Sequence, residues 1–370
     1  MKAFAAVSLT LLLHSAAMAQ AGFGERKTEE SIAADVNIAG DVVGEIRDSD
    51  GIRRAILARQ GKMIELGTLG GSDSYATAVN HAGVVIGGAL NANNAWRAFT
   101  YDQENGMRDL GTLGGRSSLA IAINRDGHVT GYADVDDRTF HAFVHDGKEM
   151  KDLGTFGGKN SYAYAINSSG HVVGAAQNVD GYRRAFLYKP ETGMVELPTL
   201  GGRINAAMAI NDKGVVVGAS ETVDRKWHAF LYDGTRMIDL GAMIAKGNSY
   251  ATGINRDGTV VGTIRSGDNA PLTFVYEQGK MRILPNRNSL YLTTKVTDDG
   301  KIIGAAYTGH KYQAFAMPTH APKVDRGWEI VDWLTFFTIL PIVLWCANHV
   351  WRDYRAGLFS AKRQQVLWNS

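Results

Sequence analysis

One nine-residue string recurs through this chain at an almost fixed interval. It stands as VNIAGDVVG from Val36, VNHAGVVIG from Val79, INRDGHVTG from Ile123, INSSGHVVG from Ile166, INDKGVVVG from Ile210, INRDGTVVG from Ile254 and VTDDGKIIG from Val296. Its second residue falls at 37, 80, 124, 167, 211, 255 and 297, so the steps are 43, 44, 43, 44, 44 and 42 residues. A period in this range marks an array of one supersecondary unit, because a single unit cannot bury its apolar face until a neighbour stacks on it.

Each copy reads as four short strands. SYATAVN from Ser74 and SYAYAIN from Ser161 alternate small and large residues, the period of two that belongs to a strand. A turn ending in glycine leads into GVVVG from Gly214, where a hairpin needs positive φ. A polar loop leads to the third strand, RAFTY from Arg97, HAFVH from His141, RAFLY from Arg184 or HAFLY from His228, and a second turn to MRDLG from Met107 or MIDLG from Met237. Forty-three glycines against seven prolines, without a collagen period, fit a chain of many tight turns. Four antiparallel strands per 40 to 45 residues make the blade of a β-propeller. A parallel β-helix would use shorter rungs. The expectation is an all-β, seven-bladed β-propeller over residues 31–317, with residues 20–30 ahead of it. Blade seven shows three strands ending at Met317; its fourth comes from residues 20–30 or from GWEIVD at Gly327.

LGTLGG at 66–71 and 110–115 returns as LGTFGG at 153–158 and LPTLGG at 197–202. Glycine-rich loops can turn backbone N–H groups toward a phosphate, but such a loop occurs once, before a helix, with Lys next to Ser or Thr. This string occurs four times between strands, and in GGKNS Asn160 separates Lys159 from Ser161, so it reads as the connector between blades. LGTLGG, then S-x-A-x-A-I-N, then G-x-V-V-G, then HAF with an aromatic, then DLG, resembles the HAF repeat family of probable extracellular repeat proteins, from about Ser31 to Met317. The resemblance implies secretion and a repeated β architecture and brings no assigned catalytic activity. Some members end in a Pro-Glu-Pro sorting segment; MPTHAPKVDRGWE, at 317–329, lacks it, which favours retention in a membrane.

The ends suit that. Lys2, an apolar run from Ala3 to Leu13 and the small-x-small Ala17-Met18-Ala19 read as a secretory signal over residues 1–19, with an uncleaved anchor as the alternative. After a juxtamembrane linker at 318–329, IVDWLTFFTILPIVLWCANHV covers Ile330 to Val350, and these 21 residues span about 30 Å as a helix, the thickness of a bilayer core. The expected transmembrane helix, 330–351, is followed by a tail, 352–370, whose Arg352, Arg355, Lys362 and Arg363 place it in the cytoplasm and the repeats outside. A buried amphipathic helix is the other reading of that span. Cys346 is the only cysteine, so no disulfide framework or thiolate metal cluster is available. A net charge of +2 without a block of like charge speaks against nucleic acid as partner.

Residues present in every copy serve blade packing. Ala98-Phe99, Ala142-Phe143, Ala185-Phe186 and Ala229-Phe230 are therefore core, and Asn80, Asn124, Asn167, Asn211 and Asn255 bond their own turns. The loop before the third strand varies more usefully. Asp50, Asn93, Asp137, Asp180, Asp224 and Asp268 stand five residues before the repeated small residue, Arg54, Arg97, His141, Arg184 and His228 stand immediately before it, and Trp96, Phe140, Tyr182, Trp227 and Tyr312 lie between or alongside. A candidate binding face follows, formed by Trp96, Arg97, Phe140, His141, Tyr182, Arg184, Trp227, His228 and Tyr312, since Trp, Tyr and Arg anchor interfaces. Asx turns, snorkelling Arg and packed rings are the structural alternative. AMIAKG at 242–247, LPNRNS at 284–289 and LTFVY at 272–276 break the repeat, so a groove would favour blades five to seven, unless they only relieve closure strain. No G-x-S-x-G, H-E-x-x-H or telling pair of carboxylates occurs. His141 with His145 lacks a third zinc ligand, and DVDD from Asp134 and DSDG from Asp48 are only fragments of calcium loops. No cofactor is expected. The function expected is a non-catalytic binding or assembly module of the cell envelope, its partner an envelope protein or polysaccharide; the alternative is an exported enzyme acting on glycans or peptides.

Overall fold

The computed structural model describes residues 28–136, 139–244, 246–267, 271–284, 290–307 and 312–319. These are all-β apart from one turn of 3-10 helix at Gly241–Met243, which replaces the glycine-rich connector where AMIAKG begins. Among the described residues the strands form repeated antiparallel sheets, six of four strands and one of three, each with its strands in chain order. The second sheet is representative: Gly70–Val79, Val85–Asn91, Trp96–Asp102 and Gly106–Asp109. The first strand of the first sheet runs Thr28–Val36 and pairs with Val42–Asp48, so residues 28–30 belong to that sheet. The last sheet has Leu290–Val296, Lys301–Tyr307 and Tyr312–Pro318; GWEIVD lies outside the described residues, as do the expected signal and transmembrane spans. Among the described residues no helix is long and apolar enough to cross a membrane.

The sheets stack face to face in chain order. Six apolar clusters form the core, and each draws on two successive sheets; one joins Val43, Ala55 and Leu57 of the first sheet to Ala76, Val85 and Phe99 of the second. Phe99, Phe143, Phe186, Phe230 and Phe274 are the largest wholly buried side chains, each worth about 1.5–3 kcal/mol of transfer from water. The glycine of G-x-V-V-G makes room for them. At Gly174 a Cβ would overlap the carbonyl of Tyr162 and come within 2.8 Å of Cε1 of Phe186. The first strand bulges here, with Ala163 opposite Gly174 and Ala165 opposite Val173.

Two polar residues fasten sheet to sheet. Ser161, fully buried, accepts the N–H of Ala142 at 2.8 Å from the preceding sheet and donates to the carbonyl of Gly154 at 2.5 Å. Ser74 and Ser118 do the same, and Asn205 does it with an amide. The repeated asparagine does more than the sequence suggests. Oδ1 of Asn124 accepts the N–H groups of Asp126 and His128 in its own turn, as expected, while its Nδ2 donates to the carbonyl of Asn167, 3.0 Å away in the next sheet.

Three backbone donors of the connector are already engaged within the fold. In LGTFGG the N–H of Gly154 goes to Asp152 Oδ1, that of Phe156 to the carbonyl of Gln177 and that of Gly157 to Thr155 Oγ1. Gly157 has φ 91°, and at Gly158 a Cβ would lie 2.5 Å from the carbonyl oxygen of Asn178. The glycines let the chain cross close over the sheet.

Candidate functional site

Gly70 pairs with Asn91 and Trp96 with Leu90, so the connector, the 91–95 turn and the start of the third strand share one end of each sheet. Trp96, Phe140 and Trp227 sit on strand rather than loop, Trp96 and Trp227 each opening the third strand of their sheet and Phe140 standing second in Thr139–His145, while Tyr182 lies in the loop directly before Arg183–Lys189. The turns before them are built by a residue two positions earlier than expected. Asp48, Asn91 and Asn178 accept the N–H groups of Asp50, Asn93 and Asp180. Asp224 instead accepts the hydroxyl of Thr222 at 2.5 Å and pairs with Lys226, which together hold its carboxyl at about 2. Asp137 and Asp268 lie outside the described residues.

The basic members are tied to their own sheets. His141 Nδ1 lies 2.8 Å from Asp152, His228 Nδ1 2.9 Å from Asp239, Arg184 Nε 2.6 Å from Glu196 and Arg97 Nε a looser 3.9 Å from Asp109. Each acid comes from the fourth strand, where D-L-G or E-L-P ends the copy. Asp109 and Asp152 also accept the N–H of the first connector glycine, at 2.8 and 2.7 Å, so base, acid and connector form one unit. Arg54, in the first sheet, donates to the carbonyls of Arg53 and Ser72.

The aromatic members gather at seams between sheets. Trp96 lies 5.2 Å from Tyr75, and the Arg53 guanidinium of the preceding sheet stands 5.0 Å from one ring and 5.2 Å from the other. Phe140 packs on Tyr132 at 5.7 Å and on Tyr162 of the next sheet at 6.3 Å, with Arg183 5.6 Å over Tyr162. Tyr182 takes a 2.7 Å hydrogen bond from Arg203, whose guanidinium also covers its ring at 5.4 Å. Trp227 stacks on Tyr250 of the next sheet at 6.1 Å and 28°. Burial raises the Tyr250 phenol above its usual value. All four candidate rings remain partly exposed. Tyr312 opens the last described strand.

The candidates therefore form several ring-and-cation seams between sheets, beside a row of internal ion pairs. Sequence reasoning missed the partners. Tyr75, Tyr162 and Tyr250 stand in the same place, after the buried serine of SYATAVN, SYAYAIN and SYATGIN, and that repeated aromatic was the available signal. Arg53 and Arg183 each open a third strand two residues before the repeated alanine, whereas Arg203 comes from a first strand.

The three metal-like fragments have other work. His145 is buried and its Nδ1 accepts the N–H of Gly147 at 3.0 Å, while burial holds its imidazole below the usual value. Asp48 Oδ1 closes the DSDG turn by accepting from Asp50 and Ile52, and Asp134 Oδ2 accepts from Ser117. Among the described residues no group of three His, Cys, Asp or Glu is arranged to hold a metal ion.

A family described as "Protein of unknown function (DUF3466)" matches residues 157–308. No curated protein matches the chain in sequence. In structure it is similar to one of two prolyl endopeptidases at 11% identity and TM-score 0.55, over 84% of this chain and 53% of that one. A Mycobacterium tuberculosis puromycin-hydrolyzing peptidase matches at 14% and 0.54, over 79% and 52%, and a Pyrococcus horikoshii acylaminoacyl peptidase at 12% and 0.51, over 78% and 52%. The chain spans about half the length of these proteins. At such identity the likeness is one of fold alone: repeated four-stranded sheets arranged as in β-propeller proteins.

Proposed function

We propose that the chain is an exported, membrane-anchored propeller of seven blades that acts as a non-catalytic binding or assembly module in the cell envelope, with an envelope protein or polysaccharide as ligand. The observation that carries this reading is the recurrence of a partly exposed ring at four of the seams between neighbouring sheets, with an arginine against it at three of them. Flat apolar area beside hydrogen-bond donors suits the faces of sugars and of extended peptides, and repetition around a ring allows several weak contacts to act together. The ion-paired bases hold the connector end in shape and are not offered as ligand contacts. The matching peptidases favour the second reading, an exported enzyme acting on glycans or peptides. Purified chain incubated with isolated envelope polysaccharide and with envelope proteins separates the two. Saturable binding with the polymer recovered intact is expected; its consumption would give the enzyme reading.

Export and anchoring rest on the signal-like residues 1–19, the apolar span 330–351 and the basic tail, and membership of the HAF repeat family rests on its recurring motifs. A reporter that works only outside the cytoplasm should be active when fused after Arg326 and silent when fused after Ser370. Activity at both positions would mean that the last span does not cross.

A further inference from the structure

At six successive steps an amide passes a hydrogen bond to the next sheet: Asn37 to Asn80, Asn80 to Asn124, Asn124 to Asn167, Asn167 to Asn211, Asn211 to Asn255 and Asn255 to Thr297, at 3.0 to 3.3 Å. The series ends at Thr297, which has no amide to pass on. Its hydroxyl donates to Asp299 and accepts the N–H of Lys301. Two residues earlier, just past the bulge of each first strand, runs a second series: Asp35, Ala78, Ala122, Ala165, Ala209, Gly253 and Lys295. Five of these carry a methyl group or a hydrogen. The two charged ones are opposite in sign, lie in the first and last sheets, and meet: Nζ of Lys295 is 3.1 Å from Oδ1 of Asp35, 260 residues away. Oδ2 of Asp35 accepts the N–H of Val79 at 3.2 Å, so one carboxylate joins the last, first and second sheets. The Lys295 side chain is 53% accessible against 15% for Asp35, so the lysine reaches solvent while the carboxylate is largely covered. Asp35 holds the lysine charged by raising its pKa. Gly253 makes way for the strand bearing the lysine, since a Cβ there would stand 3.0 Å from Cα of Lys295. Among the described residues the six apolar clusters lie between sheets adjacent in sequence.

We propose that the Lys295–Asp35 pair closes the ring in place of a seventh amide link, and that the seam between the last and first blades is where the ring opens. This rests on the seven-bladed reading. The charges also set the register, because a slip of one residue would turn either side chain away from the other.

The test is hydrogen exchange, strand by strand, on the full chain carrying Lys295→Glu, Asp35→Lys, or the exchanged pair Asp35→Lys with Lys295→Asp. Each single change should speed exchange of Thr28–Val36 and Leu290–Val296 by about tenfold or more and leave Gly157–Ile166 unchanged, while the exchanged pair returns Leu290–Val296 to within about threefold of the original and Thr28–Val36 part of the way, since a lysine at 35 no longer accepts the N–H of Val79. Single changes without effect, or an exchanged pair that fails to restore protection, would overturn the proposal. Should the singles fail to fold, recovery of a protected chain by the exchanged pair supports it and failure of that recovery counts against it. Asp35→Cys with Lys295→Cys, in a Cys346→Ser background and treated with a flexible bismaleimide that spans the reach of a lysine side chain, tests the reading beneath: an intramolecular cross-link means that the two strands are neighbours, whatever the charges contribute, and its absence removes the closed ring itself.

Discussion

Nδ2 of Asn124 donates to the backbone carbonyl of Asn167, 43 residues further along and 3.0 Å away, while Oδ1 of the same amide holds the Asn124 turn through Asp126 and His128. One side chain thus shapes a hairpin and fastens it to the next sheet. Asn124→Asp keeps the acceptor and loses the donor, and should cost about 1–3 kcal/mol of stability; Asn124→Ala loses both and should cost more. Chemical denaturation of the two variants gives the order. An Asn124→Asp variant as stable as the original would mean that the link between sheets contributes nothing.

The strand glycines are predicted to be far less replaceable than the turn glycines. Gly174→Ala would drive a methyl into the Tyr162 carbonyl and against Phe186, and should destabilise by several kcal/mol or prevent folding. Gly181, at φ 78° with open space around it, should lose only about 1 kcal/mol on the same change. Melting temperatures of the pair are the check.

The repeat, the strand order within each copy and the role of the connector could be read from the sequence because each rests on local pattern: alternation, a turn glycine, a fixed interval. What joins one copy to the next could not. Asn124 and Ser161 show their turn or strand role locally, but their second partners, the Asn167 carbonyl and the Ala142 N–H, come close only once the sheets stack. The candidate site fared likewise. Trp96, Phe140, Tyr182 and Trp227 could be found by position, whereas Arg53 and Tyr75 reach Trp96 from separate strands. His141 and Arg184 looked available because Asp152 and Glu196 lie 11 and 12 residues away across a hairpin.

Stability should fall as the solution is acidified through the histidine range. Burial lowers the pKa of His145 and of His171 in the folded chain, so the unfolded chain takes up protons first. The stabilising contribution is complete above the unfolded value, about 6.5, and is lost as pH falls toward the depressed folded values. Denaturation midpoints between about pH 7.5 and 5.5 should decline in the original chain and decline less in His145→Gln. A flat profile, or an identical one in the variant, would contradict the assignment.

The rings at the seams are the proposed binding surface. Binding of the full chain to isolated envelope polysaccharide and envelope protein should be measured for Trp96→Ala and Trp227→Ala alongside their melting temperatures. If the rings are the binding surface, either variant loses about 2 kcal/mol or more of affinity, roughly thirtyfold, beyond any loss that its melting explains. Variants that melt early yet bind as tightly as the original would show the rings to be packing between sheets and would remove the binding site.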